Sequence, residues 1–328
     1  MRYRTLGRTG LTVSEIGFGA WGIGGASEHA AAYGPTDDRE SLRVLRRARD
    51  RGVTFYDTAE LYGDGRSERL IGEAFKGCRS EVVIASKVGL RDGGLTHDLS
   101  PAHLRASLEG TLQRLRTDYL DLYQLHNPPI EWLERDEDIF HTLEALQRAG
   151  AIRAFSLSAQ SPNDAVAMVQ RWSLACLQVN FNLLDQRVIT NGLMDLCRAQ
   201  GVGLIARTPL CSGFLTGAYS PEAQFGSDDH RSQWSAEQRA VWAEAYRRFS
   251  SIKDREPQTP AQFALRYCVS YPAVSSAIPG MLTEQQLEEN VMAGDLGPLT
   301  DANRLAVERV YAQHQFFLAQ SRTAVTVK

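Results

Sequence analysis

The sequence has little of what marks secreted, membrane-embedded or nucleic-acid-binding proteins. Its 328 residues include five cysteines that lie far apart and form no CxxC pair, so neither a disulfide framework nor a zinc site is indicated. The formal net charge of -3 is too close to zero to attract nucleic acid or an anionic membrane. No stretch approaches the roughly 18 uninterrupted apolar residues of a membrane span. We therefore expect a cytoplasmic protein with a small-molecule partner and no nucleic-acid, membrane or metal partner.

Segments that would separate domains are also missing. No linker rich in proline, glycine or serine divides the chain, and no low-complexity tract occurs. The sequence therefore predicts one domain over residues 1–328. The longest irregular region, residues 217–234, is rich in polar residues and glycine, and it is interpreted either as a loop beside a site or as an ordinary surface loop.

What the sequence does contain is a regular alternation of two patterns. Residues 1–14 predict a β-hairpin around a Gly7-Arg8-Thr9-Gly10 turn. Short β-rich apolar runs then alternate with longer stretches of helical spacing; the runs are 16–19, 54–57, 82–86, 119–125, 152–158, 177–180, 203–206 and 275–278. Eight strand-then-helix units predict an α/β fold, a (β/α)8 TIM barrel with an amino-terminal β-hairpin and extra helices. The same alternation also permits an open, doubly wound sheet.

Start signals mark several of the predicted helices. Ser100-Pro101 and Ser161-Pro162 each place a capping hydroxyl before a first-turn proline. A serine or threonine stands three residues before a glutamine at Ser235, Thr259 and Thr283, which is the spacing of a capping box. We expect a helix to begin directly after each of these residues.

Ionisable side chains stand near the ends of three predicted strands. Asp57 closes the second run, Lys87 follows the third and His126 follows the fourth, while Tyr62 lies in the loop after Asp57. Because a barrel builds its site at the carboxyl ends of its strands, the four side chains are expected to converge. Taken singly, each has a simpler interpretation as a helix cap, a solvated charge, a packing aromatic or a turn contact.

Together the four residues predict proton transfer to a substrate. A phenol keeps its proton at neutral pH, and a neighbouring ammonium favours its ionised form. Lys87 would supply that ammonium and Asp57 would keep it charged, which makes Tyr62 the candidate proton donor. His126 would orient a substrate carbonyl oxygen through a hydrogen bond. Hydride would have to come from a nicotinamide cofactor, since no side chain delivers it.

The segments that carry these residues resemble successive signatures of the aldo-keto reductases. They are FYDTAELYG (55–63), GRSERLIG (65–72), VIASKVG (83–89) and YLDLYQLHNPP (119–129). The opening segment 3–25 and the closing segment 278–290 are also similar, in the branch with bacterial enzymes and potassium-channel β-subunits. The resemblance implies the same barrel, a catalytic tetrad of Asp57, Tyr62, Lys87 and His126, and reduction of a carbonyl compound by NADPH.

The resemblance also implies that NADPH lies extended across the barrel mouth. The contacts it assigns are Gly19, Ala20, Trp21, Ser158, Gln178, Arg207, Thr208, Leu210, Ser212, Gly213, Ile278, Gly280, Gln286, Glu289 and Asn290. Ala159 replaces the asparagine of the family's Ser-Asn pair, so one arm of carboxamide binding is missing. Arg207 replaces an aromatic residue; its guanidinium would lie against the nicotinamide ring, or it would reach a phosphate or an anionic substrate.

The segment after the eighth run departs from the family at the adenosine end. The basic residues that bind the 2′-phosphate in the family correspond to Gly280 and Gln286, and no basic residue occurs between positions 278 and 290. Loss of charge-assisted hydrogen bonds weakens a preference for NADPH. We expect NADP as the cofactor, with dual use or a preference for NAD as alternatives.

The expected substrate is a small carbonyl compound, and the branch of the family favours sugars or short-chain aldehydes. Trp21, Leu61 and Trp132 would form the pocket wall, although packing is the simpler role for Trp132. Two other functions stay open: a cofactor-binding regulatory subunit with little turnover, and a lyase that uses Lys87 as a Schiff-base nucleophile. The sequence does not indicate an oligomeric state.

Overall fold

The structure, a computed structural model, describes residues 1–27 and 32–319. The predicted domain of residues 1–328 therefore includes two segments, 28–31 and 320–328, that lie outside the described residues. The strands are β1 (Tyr3–Thr5), β2 (Thr12–Ser14), β3 (Phe18–Gly19), β4 (Phe55–Asp57), β5 (Val83–Val88), β6 (Leu90–Arg91), β7 (Thr96–His97), β8 (Leu120–His126), β9 (Ile152–Ser158), β10 (Cys176–Asn180), β11 (Gly203–Arg207) and β12 (Val274–Ala277).

The helices lie mainly between the strands. They are α1 (Trp21–Gly24), α2 (Asp38–Asp50), α3 (Arg66–Ala74), α4 (Pro101–Leu115), α5 (Ile130–Arg135), α6 (Asp138–Arg148), α7 (Pro162–Arg171), α8 (Arg187–Thr190), α9 (Leu193–Gln200), α10 (Ala236–Ala245), α11 (Ser250–Lys253), α12 (Pro260–Cys268), α13 (Glu284–Leu296) and α14 (Asp301–Ala312). Short 3-10 helices span Arg79–Glu81, Asp92–Gly94, Cys211–Thr216, His230–Gln233 and Tyr246–Phe249. No helix in residues 1–27 and 32–319 is long and apolar enough to cross a membrane.

Eight parallel strands close into a barrel. Their order in the sheet is β12-β11-β10-β9-β8-β5-β4-β3. Parallel bridges pair Ile16 with Ala277 and Gly19 with Gly280, and the Gly17 N–H donates to the Ala277 carbonyl at 2.8 Å. These contacts join the first strand of the sheet to the last. They confirm the predicted (β/α)8 TIM barrel over the open sheet.

All the predicted runs become barrel strands, with ends that shift by no more than two residues. The sequence-based prediction missed a second, very short hairpin, which β6 and β7 form directly after β5. Two-residue strands are too short to show an alternating pattern, so the sequence carried no signal for them.

Hydroxyl caps begin the helices where they were predicted. The capping residues are Ser100, Ser161, Ser235, Thr259 and Thr283. Thr259 and Gln262 form a complete capping box at the start of α12. At α13 the Gln286 side chain instead accepts a hydrogen bond from the Leu282 N–H at 2.8 Å, so that helix has the hydroxyl cap alone.

Alternation along the strands decides which side chains meet inside the barrel. Residues two positions apart on a strand share a face. The lower end of the interior is apolar, and its buried side chains include Phe55, Ala85, Leu122, Ala154, Cys176 and Ile205. Two positions farther along the same strands stand Asp57, Lys87, Gln124, Ser156, Gln178 and Arg207. The strand period therefore carries polar side chains to the upper end of the barrel.

The antiparallel pairing of β1 with β2 confirms the predicted amino-terminal hairpin. This hairpin closes the lower end of the barrel. Leu6, Leu11 and Val13 pack into the same buried cluster as the lower interior residues. The turn residue Gly7 has φ +51°, and a Cβ there would lie 2.0 Å from the Ala175 carbonyl oxygen. Only glycine allows this close approach of the hairpin to the barrel.

We predict that Leu6→Ala lowers the free energy of unfolding by about 2–5 kcal/mol, because it leaves a cavity between hairpin and barrel. Leu6 is 0% exposed, whereas Leu95 is 80% exposed. Leu95→Ala is therefore the matched control and should change stability by less than about 0.5 kcal/mol. Urea unfolding followed by circular dichroism measures both. Equal losses in the two variants would contradict a stabilising role for the hairpin.

Candidate active site

A buried ion pair lies at the upper end of the barrel interior. Lys87 donates from Nζ to Asp57 Oδ1 in a short hydrogen bond and to the Thr58 carbonyl oxygen at 2.9 Å. Burial by itself would lower the pKa of Lys87, but attraction to Asp57 and Tyr62 outweighs it and raises that pKa above its usual value. Lys87 therefore keeps its charge inside the protein.

The second oxygen of Asp57 is held by two amide side chains. Gln124 Nε2 donates to Asp57 Oδ2 at 2.9 Å, and Gln178 Nε2 donates to the same oxygen at 2.7 Å. A buried carboxylate needs such donors because it has lost its water. The two glutamines thus satisfy the carboxylate and fix its position against Lys87.

Tyr62 and His126 complete the predicted group of four. The Tyr62 hydroxyl lies 3.2 Å from Lys87 Nζ, and the His126 ring meets the Tyr62 ring edge-on with centroids 6.1 Å apart. Gly63, next to Tyr62, has φ +57°, and a Cβ there would lie 2.1 Å from the Gly24 carbonyl oxygen. This close backbone contact holds the loop that carries Tyr62 against α1. The structure therefore brings all four side chains together, as the strand-end argument predicted.

The environment of His126 keeps its imidazole neutral. Burial is the largest cause that lowers the pKa of His126 well below its usual range, and the positive charges of Lys87 and Arg207 add to it. A neutral imidazole has one N–H donor and one acceptor nitrogen. At neutral pH the ring can therefore donate one hydrogen bond without carrying a charge.

Arg207, the last residue of β11, ties together the ends of four neighbouring strands. Its Nε donates to Asn180 Oδ1 at 2.8 Å, and its Nη2 donates to the Ala159 carbonyl oxygen at 2.7 Å. Its Nη1 donates to Asn127 Oδ1 at 2.9 Å and to Ser158 Oγ at 2.6 Å. The guanidinium is therefore held in one place over the barrel mouth.

Three amide side chains join the site without having been predicted: Gln124, Asn127 and Asn180. Two of them carried a usable signal, because Gln124 lies two residues before His126 and Asn180 two residues after Gln178 on the same strand faces. Asn127 carried none, since its side chain is aimed by a backbone turn with φ +50°.

A long cleft crosses the barrel mouth from the tetrad to α13. Its lining contains Asp57 and Tyr62 together with Gly19, Ala20, Trp21, Gln178, Arg207, Thr208, Leu210, Ser212, Gly213, Ile278, Gly280, Gln286, Glu289 and Asn290. These are the predicted cofactor contacts with one exception. Ser158 is buried and meets the cleft through its bond to Arg207.

One wall of the cleft comes from the irregular region 217–234. Tyr219 and Arg231 line the cleft, and Arg231 forms an ion pair with Asp229. The Arg231 guanidinium also lies 5.0 Å from the centre of the Tyr33 ring and 4.8 Å from that of Tyr219. This packing supports the interpretation of the region as a loop beside the site.

The structure forms only part of the pocket wall expected from Trp21, Leu61 and Trp132. Trp21 lines the cleft, with its ring 6.5 Å from that of Tyr62, whereas Leu61 and Trp132 are not among the described lining residues. Trp132 is 42% exposed and packs edge-on against His97. Its contact with a neighbouring ring fits the simpler packing role.

Comparison with known proteins agrees with this geometry. The model of the aldo/keto reductase family matches residues 15–312. A probable voltage-gated potassium channel subunit beta of Oryza sativa subsp. japonica is 31% identical over 324 residues, which cover 91% of this chain and 93% of the relative. The aldo-keto reductase yakc, named with NADP(+), of Schizosaccharomyces pombe is 31% identical over 294 residues, covering 85% and 83%.

A solved structure has the same fold over nearly the whole chain. The holo form of aldo-keto reductase AKR11C1 from Bacillus halodurans superposes with a TM-score of 0.76 at 27% identity, covering 96% of this chain and 99% of its own. Barrel, tetrad segments and family match thus agree, and the chain belongs to the aldo/keto reductase family.

Proposed function

We propose that this oxidoreductase reduces a small carbonyl compound to an alcohol with a nicotinamide cofactor. The observation that carries the proposal is the position of Lys87, whose Nζ bonds Asp57 and lies 3.2 Å from the Tyr62 hydroxyl. An ammonium beside a phenol stabilises the phenolate that remains after proton transfer. The arrangement suits a proton donor facing a substrate cleft.

In this mechanism Tyr62 donates its proton to the substrate carbonyl oxygen. When bound, the cofactor supplies hydride to the carbonyl carbon. Lys87 stabilises the phenolate that Tyr62 leaves behind, while Asp57 keeps Lys87 charged and in place. His126, neutral in this environment, donates a hydrogen bond that orients the carbonyl oxygen beside the tyrosine.

The residues of the cleft fit a nicotinamide dinucleotide. At Gly280 an added Cβ would have only the Gly19 carbonyl oxygen within 4 Å, at 3.9 Å, so the cleft has open space beside this glycine. Ser158 and Gln178 would hold the carboxamide. Asn127, bonded to both Ser158 and Arg207, is the candidate to replace the amide lost at Ala159.

The segment after β11 would hold the pyrophosphate. Thr208, Cys211, Ser212 and Gly213 all have positive φ, between +48° and +91°, which folds the backbone tightly along the cleft. Backbone N–H groups in such turns can bind anions. Those of Cys211 and Gly213 donate to the Thr208 and Leu210 carbonyl oxygens, so the N–H groups of Thr208 and Ser212 are the candidates for a phosphate. A Cβ at Gly213 would lie 3.1 Å from the Tyr219 ring, so glycine lets the turn sit under that wall.

The adenosine end of the cleft offers no cation to a 2′-phosphate among the described lining residues. Gln286, Glu289 and Asn290 line it, and the basic lining residues, Arg207 and Arg231, belong to the barrel mouth and the loop wall. The NADP(+) in the name of a relative supports NADP as the cofactor. A lining without a basic residue at this end supports use of NAD as well.

The site argues against a Schiff-base lyase, whereas a regulatory subunit has to be distinguished from an enzyme by experiment. A Schiff-base lyase needs an uncharged lysine, and the raised pKa of Lys87 argues against it. A regulatory subunit is suggested by the name of the Oryza sativa relative. It predicts nucleotide binding with negligible turnover, which the first experiment below separates from catalysis.

We predict that Tyr62→Phe lowers kcat/KM by about 100-fold to 10,000-fold, because the proton donor is lost. Consumption of NADPH and NADH with a panel of sugars and short-chain aldehydes measures it. Tyr3→Phe is the matched control: Tyr3 is 49% exposed, and its hydroxyl bonds the Gly52 carbonyl oxygen on the hairpin side. Turnover unchanged in Tyr62→Phe eliminates the proposed donor, and no turnover in the wild type favours the regulatory subunit.

The depressed pKa of His126 predicts how activity depends on pH. A histidine with an ordinary pKa would gain a proton on acidification from about pH 8 to about pH 6, and wild-type activity would fall. Because His126 stays neutral there, the ratio of wild-type to His126→Gln kcat/KM should be constant over that range. A ratio that falls as the pH decreases would show that His126 does titrate.

The lack of a basic residue in the described lining of the adenosine end predicts weak discrimination between the two cofactors. We expect the dissociation constants for NADPH and NADH, measured by quenching of tryptophan fluorescence, to differ by less than about tenfold. Gln286→Lys should tighten NADPH alone. Gln286→Met is its control, because both substitutions remove the bond to Leu282 and only lysine adds charge. A wild-type difference above about 100-fold would contradict the prediction.

A further inference from the structure

Arg207 brings a positive charge to the barrel mouth that no carboxylate neutralises directly. In the part of the chain that the structure describes, its four hydrogen-bond acceptors are neutral oxygens of Asn127, Ser158, Ala159 and Asn180. Asp57 and Asp185 act on it only from longer range. Arg207 is half-buried, and a cation that has lost part of its water without gaining an opposite charge is costly to keep. A cation without a bonded carboxylate calls for a functional explanation more than a cation in an ion pair does.

The neighbouring charges do not cancel it. Lys87 is balanced by its bond to Asp57, and His126 is neutral. Among Asp57, Lys87, His126 and Arg207, one positive charge therefore remains, at the end of the cleft that Tyr62 and Gln178 line.

The hydrogen bonds of Arg207 limit how it can meet a ligand. A guanidinium has five N–H donors, and the four bonds to protein oxygens leave one, on Nη2. Bidentate capture of a carboxylate or phosphate needs two free donors in a fork. The side chain thus acts on the cleft mainly through its charge.

We infer that the Arg207 charge makes the cleft bind the reduced nicotinamide in preference to the oxidised one. The oxidised ring carries a positive charge and the reduced ring carries none, so only the oxidised form is repelled. Arg207 Nη1 lies 2.6 Å from Ser158 Oγ, the hydroxyl assigned to the carboxamide, which puts the charge beside the ring site. The inference rests on the proposed binding of a nicotinamide nucleotide.

The preference has a direct consequence for turnover. An oxidised nucleotide that is repelled leaves readily and competes poorly with its reduced form. Tenfold weaker binding of the oxidised form also raises the midpoint potential of the bound couple by about 30 mV.

Binding measurements alone test the inference. Dissociation constants for NADPH and NADP+, and for NADH and NAD+, are measured by calorimetry with the wild type, without substrate. We expect each oxidised form to bind at least about tenfold more weakly than its reduced form. Equal affinities would overturn the inference and leave the proposed function intact, whereas no binding of any of the four nucleotides would overturn the proposed function itself.

Two variants separate the charge from its role in holding neighbouring side chains. Arg207→Met removes the charge, so the oxidised forms should bind more tightly than to the wild type and the preference should collapse. Arg207→Lys keeps the charge but loses the planar fork, so the preference should persist even if all affinities weaken. Equal weakening of both redox forms in Arg207→Met would show a purely structural role and overturn the inference.

A charge that serves an anionic substrate gives a different result. In that case Arg207→Met would leave the ratio of nucleotide affinities unchanged. It would raise KM for a carboxylate-bearing aldehyde and not for an uncharged aldehyde of similar size. This outcome also overturns the inference, with the proposed reduction still standing.

Discussion

The buried pair of Lys87 and Asp57 is the constraint around which the site is arranged. An ammonium inside a barrel keeps its proton only if a carboxylate lies against it, and that carboxylate needs donors of its own. Gln124 and Gln178 provide them from two other strands. Four strands thus contribute to one charge balance, and the Tyr62 hydroxyl rests on its cationic end.

Arg207, a half-buried cation, is stabilised differently. Lys87 is compensated by opposite charge, whereas Arg207 is compensated by neutral oxygens at the ends of neighbouring strands. The first arrangement cancels the charge, and the second keeps it available to the cleft. Lys87 lies beside the Tyr62 hydroxyl and Arg207 beside the cleft; burial is the main cause that lowers the pKa of His126, and both cations add to it.

Much of the fold and part of the site could be predicted because they depend on short-range periodicity. Alternation of apolar runs and helical stretches indicated every barrel strand, and hydroxyl caps marked the helix starts. The tetrad followed from residues at strand ends. The hairpin of β6 and β7 escaped prediction because its strands are too short for a period, and Asn127 escaped because a left-handed backbone turn aims its side chain.

The sequence by itself determined the eight strand-then-helix units, the amino-terminal hairpin and the polar residues at the strand ends, because local period and turn residues mark them without reference to distant contacts. The alternation also permitted an open sheet, so closure into a barrel was decided by tertiary contacts between the first and last strands. Only the tertiary structure decided which side chains hold one another. Asp57 is bound by Gln124 and Gln178, and Arg207 by Asn127 and Asn180, across residues far apart in the chain. Such pairings depend on distances across the interior and around the mouth, which closure of the barrel creates and no local pattern encodes.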